Sequence, residues 1–240
     1  MTSQALILAG GLGTRLGEIT KNIPKPMVPV GDKPFLHWLV ELLKRSGINR
    51  FVLCTGYLSE KIEEYFGDGT KFGCSIQYSA EQTPLGTGGA IKKAAGLLEE
   101  TFLVLSGDNY LPLNFRDYVN SFSRQSEKTS VGGMLACWDN EPPMFRSNVL
   151  LDENSRKILS YDFKSDEGKN FVDIGVKIFN HRLFDYFPAQ EKFSLEIDCM
   201  GRMAADGLLT GYPVEFPPLD VGTHEGLTLV RAKLGQGVPF

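Results

Sequence analysis

Short apolar runs alternate with amphipathic stretches through the first half of the chain. Ala5 to Ala9 is a continuous apolar run that ends at glycines, residues 51–54 and 102–106 read likewise as strands, and residues 75–79 as a further one. Runs of this length, bounded by turn formers, read as buried strands. Between them the period changes. Phe35, Trp38, Leu39, Leu42 and Leu43 share one helical face before Gly47, with Asp32 as the expected N-cap and Pro34 in the first turn. Further helices are expected over 59–66 and, entered from a glycine turn, over 87–98. Strands alternating with helices predict an α/β fold: a Rossmann-like, mostly parallel central sheet with helices on both faces.

The second half reads differently. Residues 129–136, 147–152, 157–162 and 171–179 are strand-like with few helices between them, which predicts a small mixed β extension closing over one side of the sheet. Helices over 194–205 and 223–233 complete the chain. With no repeat, low-complexity tract or long linker, one domain over 1–240 is expected.

Composition narrows the partners. The chain has 240 residues, 42% hydrophobic and 22% charged, with a net charge of −4, which disfavours nucleic acid as a partner. No apolar run has the length of a membrane span and no cleavable signal opens the sequence, so a cytoplasmic protein away from membranes is expected. Cys54, Cys74, Cys137 and Cys199 are scattered and read as reduced structural thiols. His37, His181 and His224 make no metal-ligand spacing, so zinc is not expected.

The chemistry is concentrated in residues 5–29, ALILAGGLGTRLGEITKNIPKPMVP. Gly10, Gly11, Gly13 and Thr14 can turn several backbone N–H groups into one concavity. Arg15 adds a rigid fork of donors, and Lys25 a second cation between Pro24 and Pro26, which are expected to hold it extended. Such a loop suits a polyphosphate. It is not a Walker A loop, since no Gly-Lys-Ser/Thr follows, nor a dinucleotide fingerprint, since Leu16 stands where the third glycine belongs. Asp108, at a strand end after Gly107, and Asp220, in a glycine-bounded loop, are hard-oxygen donors of the type that suits Mg²⁺.

These residues resemble the signature of the sugar-1-phosphate nucleotidyltransferases, GGxGTRLxxxTxxxPKPM. Every fixed position from Gly10 to Met27 is present, including Leu16 and Thr20. Three further segments fit in order: Pro84-Leu85-Gly86-Thr87-Gly88-Gly89-Ala90, Ser106-Gly107-Asp108 and Leu219-Asp220-Val221-Gly222-Thr223, so the likeness covers about residues 4–230. It implies a glycosyltransferase-A-like nucleotidyltransferase fold, with about 1–125 as nucleotide half and 126–240 as acceptor half. The implied substrates are a nucleoside triphosphate and a sugar phosphate, with Mg²⁺ as cofactor; a homodimer is compatible with it. The short chain most resembles guanylyltransferases for manno-heptose or mannose 1-phosphate. Cytidylyl- and uridylyltransferases acting on other sugar or non-sugar phosphates share the signatures and stay open.

The resemblance also implies roles. Arg15 and Lys25 are the expected catalytic cations. Leu8, Gly10, Gly11, Gly13, Thr14, Glu81, Pro84, Gly86, Thr87 and Gly88 are expected around the nucleotide, with the base read largely by main-chain groups. Asp108, Lys164, Asp173, Gly175 and Glu196 are expected on the acceptor side, and Asp108 with Asp220 as the metal pair. Lys164 follows Phe163 where the family has Glu-Lys, so its carboxylate partner is missing or is Asp162; a solvated loop lysine is the alternative. Glu196 either accepts sugar hydroxyls or complements the start of a helix. Asp173-Ile174-Gly175 stands where many members have Asn-Ala-Gly or Asn-Gly-Gly. An acid there would repel a phosphate unless it faces hydroxyls, a base or an amine. Phe145-Arg146-Ser147-Asn148 likewise replaces a more usual Tyr-Gly. In-line attack by the sugar phosphate on the α-phosphorus needs no covalent intermediate and no general base. The rivals are a catalytically silent regulatory homologue, disfavoured by the intact charged residues, and a glycosyltransferase, disfavoured by the lack of Asp-x-Asp.

Overall fold

In the computed structural model, residues 2–11, 13–141, 143–217 and 219–234 are described. The apolar runs form β1 (Gln4–Leu8), β2 (Arg50–Thr55), β3 (Ser75–Ala80) and β4 (Thr101–Ser106), all parallel and ordered β4-β1-β2-β3. Successive side chains of these strands face opposite sides; both sides are apolar in β1, β2 and β4, whereas the edge strand β3 (SIQYSA) alternates buried and exposed. Ala5, Ile7, Phe51 and Leu53 enter one core; Leu6, Val52, Phe102 and Val104 enter another. That is why β1, β2 and β4 read as unbroken apolar runs rather than alternating ones.

The helices are α1 (Phe35–Arg45), α2 (Ser59–Phe66), α3 (Gly86–Ala94), α4 (Phe115–Ser126), α5 (Leu195–Asp198), α6 (Met200–Ala205) and α7 (His224–Leu234). The first, second and fourth bury their apolar stripes on one face of the sheet; the third, fifth and sixth cover the other. The last packs Leu227, Val230 and Leu234 on a third cluster with Leu16, Val28 and Phe35, which seats the polyphosphate signature against the C-terminal helix.

The β extension continues the same sheet. It comprises β5 (Gly133–Asp139), β6 (Val149–Leu151), β7 (Ile158–Tyr161), β8 (Phe171–Asn180) and β9 (Leu209–Val214). β8 lies antiparallel to both β4 and β5, while β9 runs parallel to β5. The register of β8 on β5 shifts between Asp173 and Lys177, a bulge that matters for the site.

Several local expectations change. Asp32 is exposed, and Pro34, in extended backbone, fills the N-cap position of α1 while its ladder with Pro29 closes a short hairpin. The helix expected to reach residue 98 ends at Ala94 and continues as a 3-10 turn, Ala95–Leu97. The one expected over 194–205 breaks at Cys199. Two elements were not foreseen. α4 buries Phe115, Tyr118, Val119 and Phe122, and Asn114 caps it by accepting the Asp117 N–H at 3.1 Å. β9 carries Pro213 and pairs only with β5 among the named strands.

After β1 the chain builds β2 and β3 on one side, then crosses to the other side of β1 for β4. The loops leaving the carboxyl ends of β1 and β4 therefore diverge, and open α/β sheets place ligands in that crevice.

Candidate active site

Leu8 and Ser106 end their strands side by side, and the Gly107 N–H donates to the Leu8 carbonyl at 2.9 Å. Beyond them lies a cleft of about 470 Å³. Gly10, Gly11 and Gly13 form one wall, Glu81, Pro84, Gly86 and Thr87 another, and Leu8, Ser106 and Asp108 the floor. Gly13 has φ +65°, and a Cβ there would stand 2.9 Å from Thr20 and 3.1 Å from Lys25. The Thr20 hydroxyl donates to the Gly13 carbonyl at 2.9 Å, and Leu16 is buried beneath the loop. Thr20 and Leu16 thus shape the loop, and the glycines face the cleft. Thr14 opens a 3-10 turn that runs to Thr20, and its side chain lies outside the described set. Cys54 also lines the cleft; burial, and then the Glu81 carboxylate, push its thiol up to about 12, so it is an apolar wall rather than a nucleophile.

The mouth of the cleft holds a cluster of charge. Asn109–Tyr110 and Leu219–Asp220 form a two-residue antiparallel ladder, which brings Asp108 and Asp220 together from opposite ends of the sequence. Both carboxylates converge on Lys25. Its ammonium is hydrogen-bonded to Asp108 Oδ2 and lies 3.5 Å from Asp220 Oδ1. Arg15 pairs with the other Asp220 oxygen, also at 3.5 Å. Lys25 is 8% exposed, whereas Arg15 is 63% exposed and free to reach an incoming anion. The Pro24 and Pro26 clamp does not hold Lys25 extended: residues Lys25–Met27 close a 3-10 turn, with the Met27 N–H on the Pro24 carbonyl at 2.8 Å.

A second charged group lies where β8 bulges. Lys177 is buried, with its ammonium 2.9 Å from Asp173 Oδ2 and 3.6 Å from Glu196 Oε1. Tyr161 donates its hydroxyl to the same Asp173 oxygen at 2.9 Å, and the Gly175 N–H donates to Asp173 Oδ1 at 3.0 Å. Asn148 Oδ1 accepts the Asp173 N–H at 2.8 Å, which is what Asn148 contributes. Glu196 Oε2 accepts from the hydroxyls of Thr87 at 2.5 Å and Ser194 at 3.1 Å. Burial alone would push the Lys177 ammonium down, but Asp173 and Glu196 outweigh it and raise its pKa. Burial likewise opposes the charge on Glu196, and Lys177 with the Thr87 and Ser194 hydroxyls outweighs it, so the carboxyl titrates below its usual range.

The sequence profile of the family described as Nucleotidyl transferase matches residues 4–237. The chain belongs to that family. Among its relatives, a D-glycero-α-D-manno-heptose 1-phosphate guanylyltransferase of Aneurinibacillus thermoaerophilus is 34% identical over 233 residues, 96% of this chain and 98% of that protein. A mannose-1-phosphate guanylyltransferase of Mycobacterium tuberculosis is 31% identical, over 98% of this chain and 65% of that protein. The crystal structure of HddC from Yersinia pseudotuberculosis superposes with a TM-score of 0.79 at 28% identity, over 96% of this chain and 99% of that one.

Within this nucleotidyltransferase the structure brings some of the expected site residues together and sets others apart. The cleft gathers Leu8, Gly10, Gly11, Gly13, Glu81, Pro84, Gly86, Thr87 and Asp108. Gly88 instead packs on the Phe193 ring and donates its N–H to the Phe193 carbonyl at 3.1 Å, so it docks the loop rather than lining the cleft. Glu196 and Asp173 meet through Lys177, which the sequence reading passed over: a lone lysine in a strand reads as solvent-facing. Asp173 does face an amine and a hydroxyl, but its carboxylate is 3% exposed and meets three donors of the protein itself. Lys164 is exposed and joins neither charged cluster; Asp162 accepts its backbone N–H at 2.8 Å rather than pairing with its ammonium. Gly175, at φ +82°, backs onto Asn109 and Ser106 beneath the cleft floor. Glu81 was expected only as one contact of many, and it presses against Gly10, where a Cβ would stand 2.9 Å from Oε1.

Transferases of this family generally use a divalent metal ion. Asp108 and Asp220 fit one, because hard carboxylate oxygens already converge on a single cation, the Lys25 ammonium. Among the described residues no three His, Cys, Asp or Glu side chains cluster.

Proposed function

We propose that the chain is a guanylyltransferase that joins GTP to a manno-configured sugar 1-phosphate, D-glycero-α-D-manno-heptose 1-phosphate first and mannose 1-phosphate second, and releases pyrophosphate. The observation that carries this is the cluster of Lys25, Arg15, Asp108 and Asp220 at the mouth of the glycine-walled cleft. The similarity over almost the full length of a heptose 1-phosphate guanylyltransferase supports the substrate pair. One domain would carry both halves, nucleotide over about 1–125 and acceptor over about 126–240, in the cytoplasm.

GTP would lie with its phosphates along Gly10, Gly11, Gly13 and Thr14, whose backbone N–H groups suit anionic oxygens. Glu81 is acceptor-only when ionised, and one of its oxygens is already used by the Leu85 N–H at 3.1 Å. The other can accept an N–H of guanine, whose N1–H and N2–H donors lie side by side, whereas cytosine and uracil set their donor directly beside acceptors. Arg15 would neutralise the leaving pyrophosphate. Lys25 would move from its carboxylates to the α-phosphate and hold the acceptor phosphate beside it. The acceptor oxygen is already anionic, so it attacks the α-phosphorus in line as the bond to pyrophosphate breaks, with no proton to remove. Asp108 and Asp220 would hold Mg²⁺, which when bound neutralises phosphate charge and screens the two anionic substrates from each other. Glu196 would accept hydroxyls of the sugar.

The test is pyrophosphate release across GTP, CTP, UTP, dTTP and ATP against heptose, mannose, glucose and N-acetylglucosamine 1-phosphates and phosphocholine. Maximal turnover in the GTP column with a manno-configured acceptor is expected. A maximum with CTP or UTP would reject the guanylyl reading, and nucleotide binding without pyrophosphate release from any pair would favour a silent homologue.

A further inference from the structure

We propose that Lys177 is a positioning residue for acceptor recognition: locked to Asp173, its ammonium fixes Glu196 as the carboxylate that receives the sugar hydroxyls. This rests on the reading that Glu196 faces the acceptor. Three charged side chains buried in a row are expensive unless each is satisfied. Asp173 and Glu196 each meet three donors, but at different distances. Asp173 accepts at hydrogen-bond distance from the Gly175 N–H on one oxygen and from Lys177 and Tyr161 on the other. Glu196 accepts from Thr87 and Ser194 on Oε2, whereas its Oε1 meets the Lys177 ammonium at 3.6 Å, beyond hydrogen-bond distance, so that oxygen can still accept a close donor.

Exposure singles out the same end of the row. The side chains of Asp173 and Lys177 are 3% and 5% exposed, and that of Glu196 is 15% exposed. Two carboxylates and one ammonium leave one net negative charge, and it sits at the member that reaches the surface. The cluster at the cleft mouth is balanced instead: Arg15 and Lys25 against Asp108 and Asp220. An acceptor with an anionic phosphate at one end and hydroxyls at the other is therefore oriented by charge, phosphate towards Lys25 and Arg15, hydroxyls towards Glu196. Thr87 ties this to the nucleotide side, since its hydroxyl donates to Glu196 and accepts the Leu195 N–H at 2.9 Å.

The test is steady-state kinetics on Lys177→Met and on Asp173→Asn/Lys177→Met, which removes both buried charges together, with Lys177→Arg as the charge-keeping control and Glu196→Gln beside them. The double variant is expected to fold, to raise the acceptor KM about tenfold or more, and to leave the GTP KM within about threefold. Lys177→Arg is expected to recover most of that loss. Monodeoxy acceptors add a readout that a structural role would not move: removing the hydroxyl that meets Glu196 raises KM for the wild type and not for the double variant. An unchanged acceptor KM, or a parallel rise for both substrates, overturns the proposal. Failure of the double variant to fold overturns it too, by assigning the charged row to stability. If Glu196→Gln leaves the acceptor KM unchanged, it is the placement of Glu196 that fails; if Glu196→Gln raises it and the Lys177 variants do not, the role of Lys177 fails alone.

Discussion

Lys25 is held in place by the two carboxylates that the proposed metal ion would also use, and together with Arg15 it balances their charge. Lys25→Met should lower kcat about 10²–10³-fold, the cost of losing one preorganised donor to a developing charge. Its melting temperature should stay close to wild type, because Asp108 and Asp220 are about a third exposed and remain solvated without the lysine; a variant with near-normal kcat would remove Lys25 from the chemistry. Glu196 makes a prediction about pH. Its folded pKa is lowered, so its contribution to stability is present above the ordinary value of 4.5 and is lost as the pH falls through the folded one. Thermal unfolding of Glu196→Gln should therefore lose less stability than wild type on acidification through that range; parallel curves would contradict the pairing. That Arg15, Lys25, Asp108 and Asp220 belong together was legible from the family signature, beside the glycines, prolines and strand end that flank them. Lys177 was not, since only the fold reveals that its strand is buried on the lysine side. Lys164, expected from the resemblance alone, is exposed and outside both charged clusters.

At the scale of elements, the bulge in β8 shapes the proposed acceptor side. Asp173 staples it by accepting the Gly175 N–H, and the left-handed backbone at Gly175 brings the strand against Ser106 and Asn109. Gly175→Ala should destabilise the protein by about 1–3 kcal/mol through strain at positive φ. It should also raise the acceptor KM, because the new Cβ would stand 2.9 Å from Asn109 Nδ2 and 3.1 Å from Ser106 Oγ. Chemical denaturation and kinetics on the same sample check both; a neutral substitution would mean that the bulge relaxes freely. The parallel strands β1, β2 and β4 were legible because both of their faces are buried, which leaves continuous apolar runs. The bulge was not, because a register shift depends on the partner strand β5. α4 had a readable stripe, Phe115, Tyr118, Val119 and Phe122, and a readable cap at Asn114. It was hidden between a chemically loud Asp108 and the strand-rich second half.

Across the whole molecule, one sheet runs through both parts of the chain. Its parallel part carries the glycine loops, and antiparallel β8 lies directly against β4, the strand that Asp108 follows, so the proposed acceptor side adjoins the proposed nucleotide side. The segment Phe193–Glu196 then returns to dock the nucleotide loop, with the Gly88 and Gly89 N–H groups on the Phe193 carbonyl. A balanced charge cluster stands at the cleft mouth, and a second cluster with one net negative charge is tied to the cleft wall through Thr87. The overall architecture was readable from periodicity and signature together; the joining of the halves was not, because it rests on contacts between residues about a hundred positions apart. The most direct measurement is product analysis after incubating GTP, Mg²⁺ and D-glycero-α-D-manno-heptose 1-phosphate with the wild type and with Asp108→Asn. The account predicts one pyrophosphate and one GDP-heptose for each GTP consumed by the wild type, and a severe loss in the variant. GTP consumed without a sugar nucleotide, or equal turnover by both proteins, would contradict it.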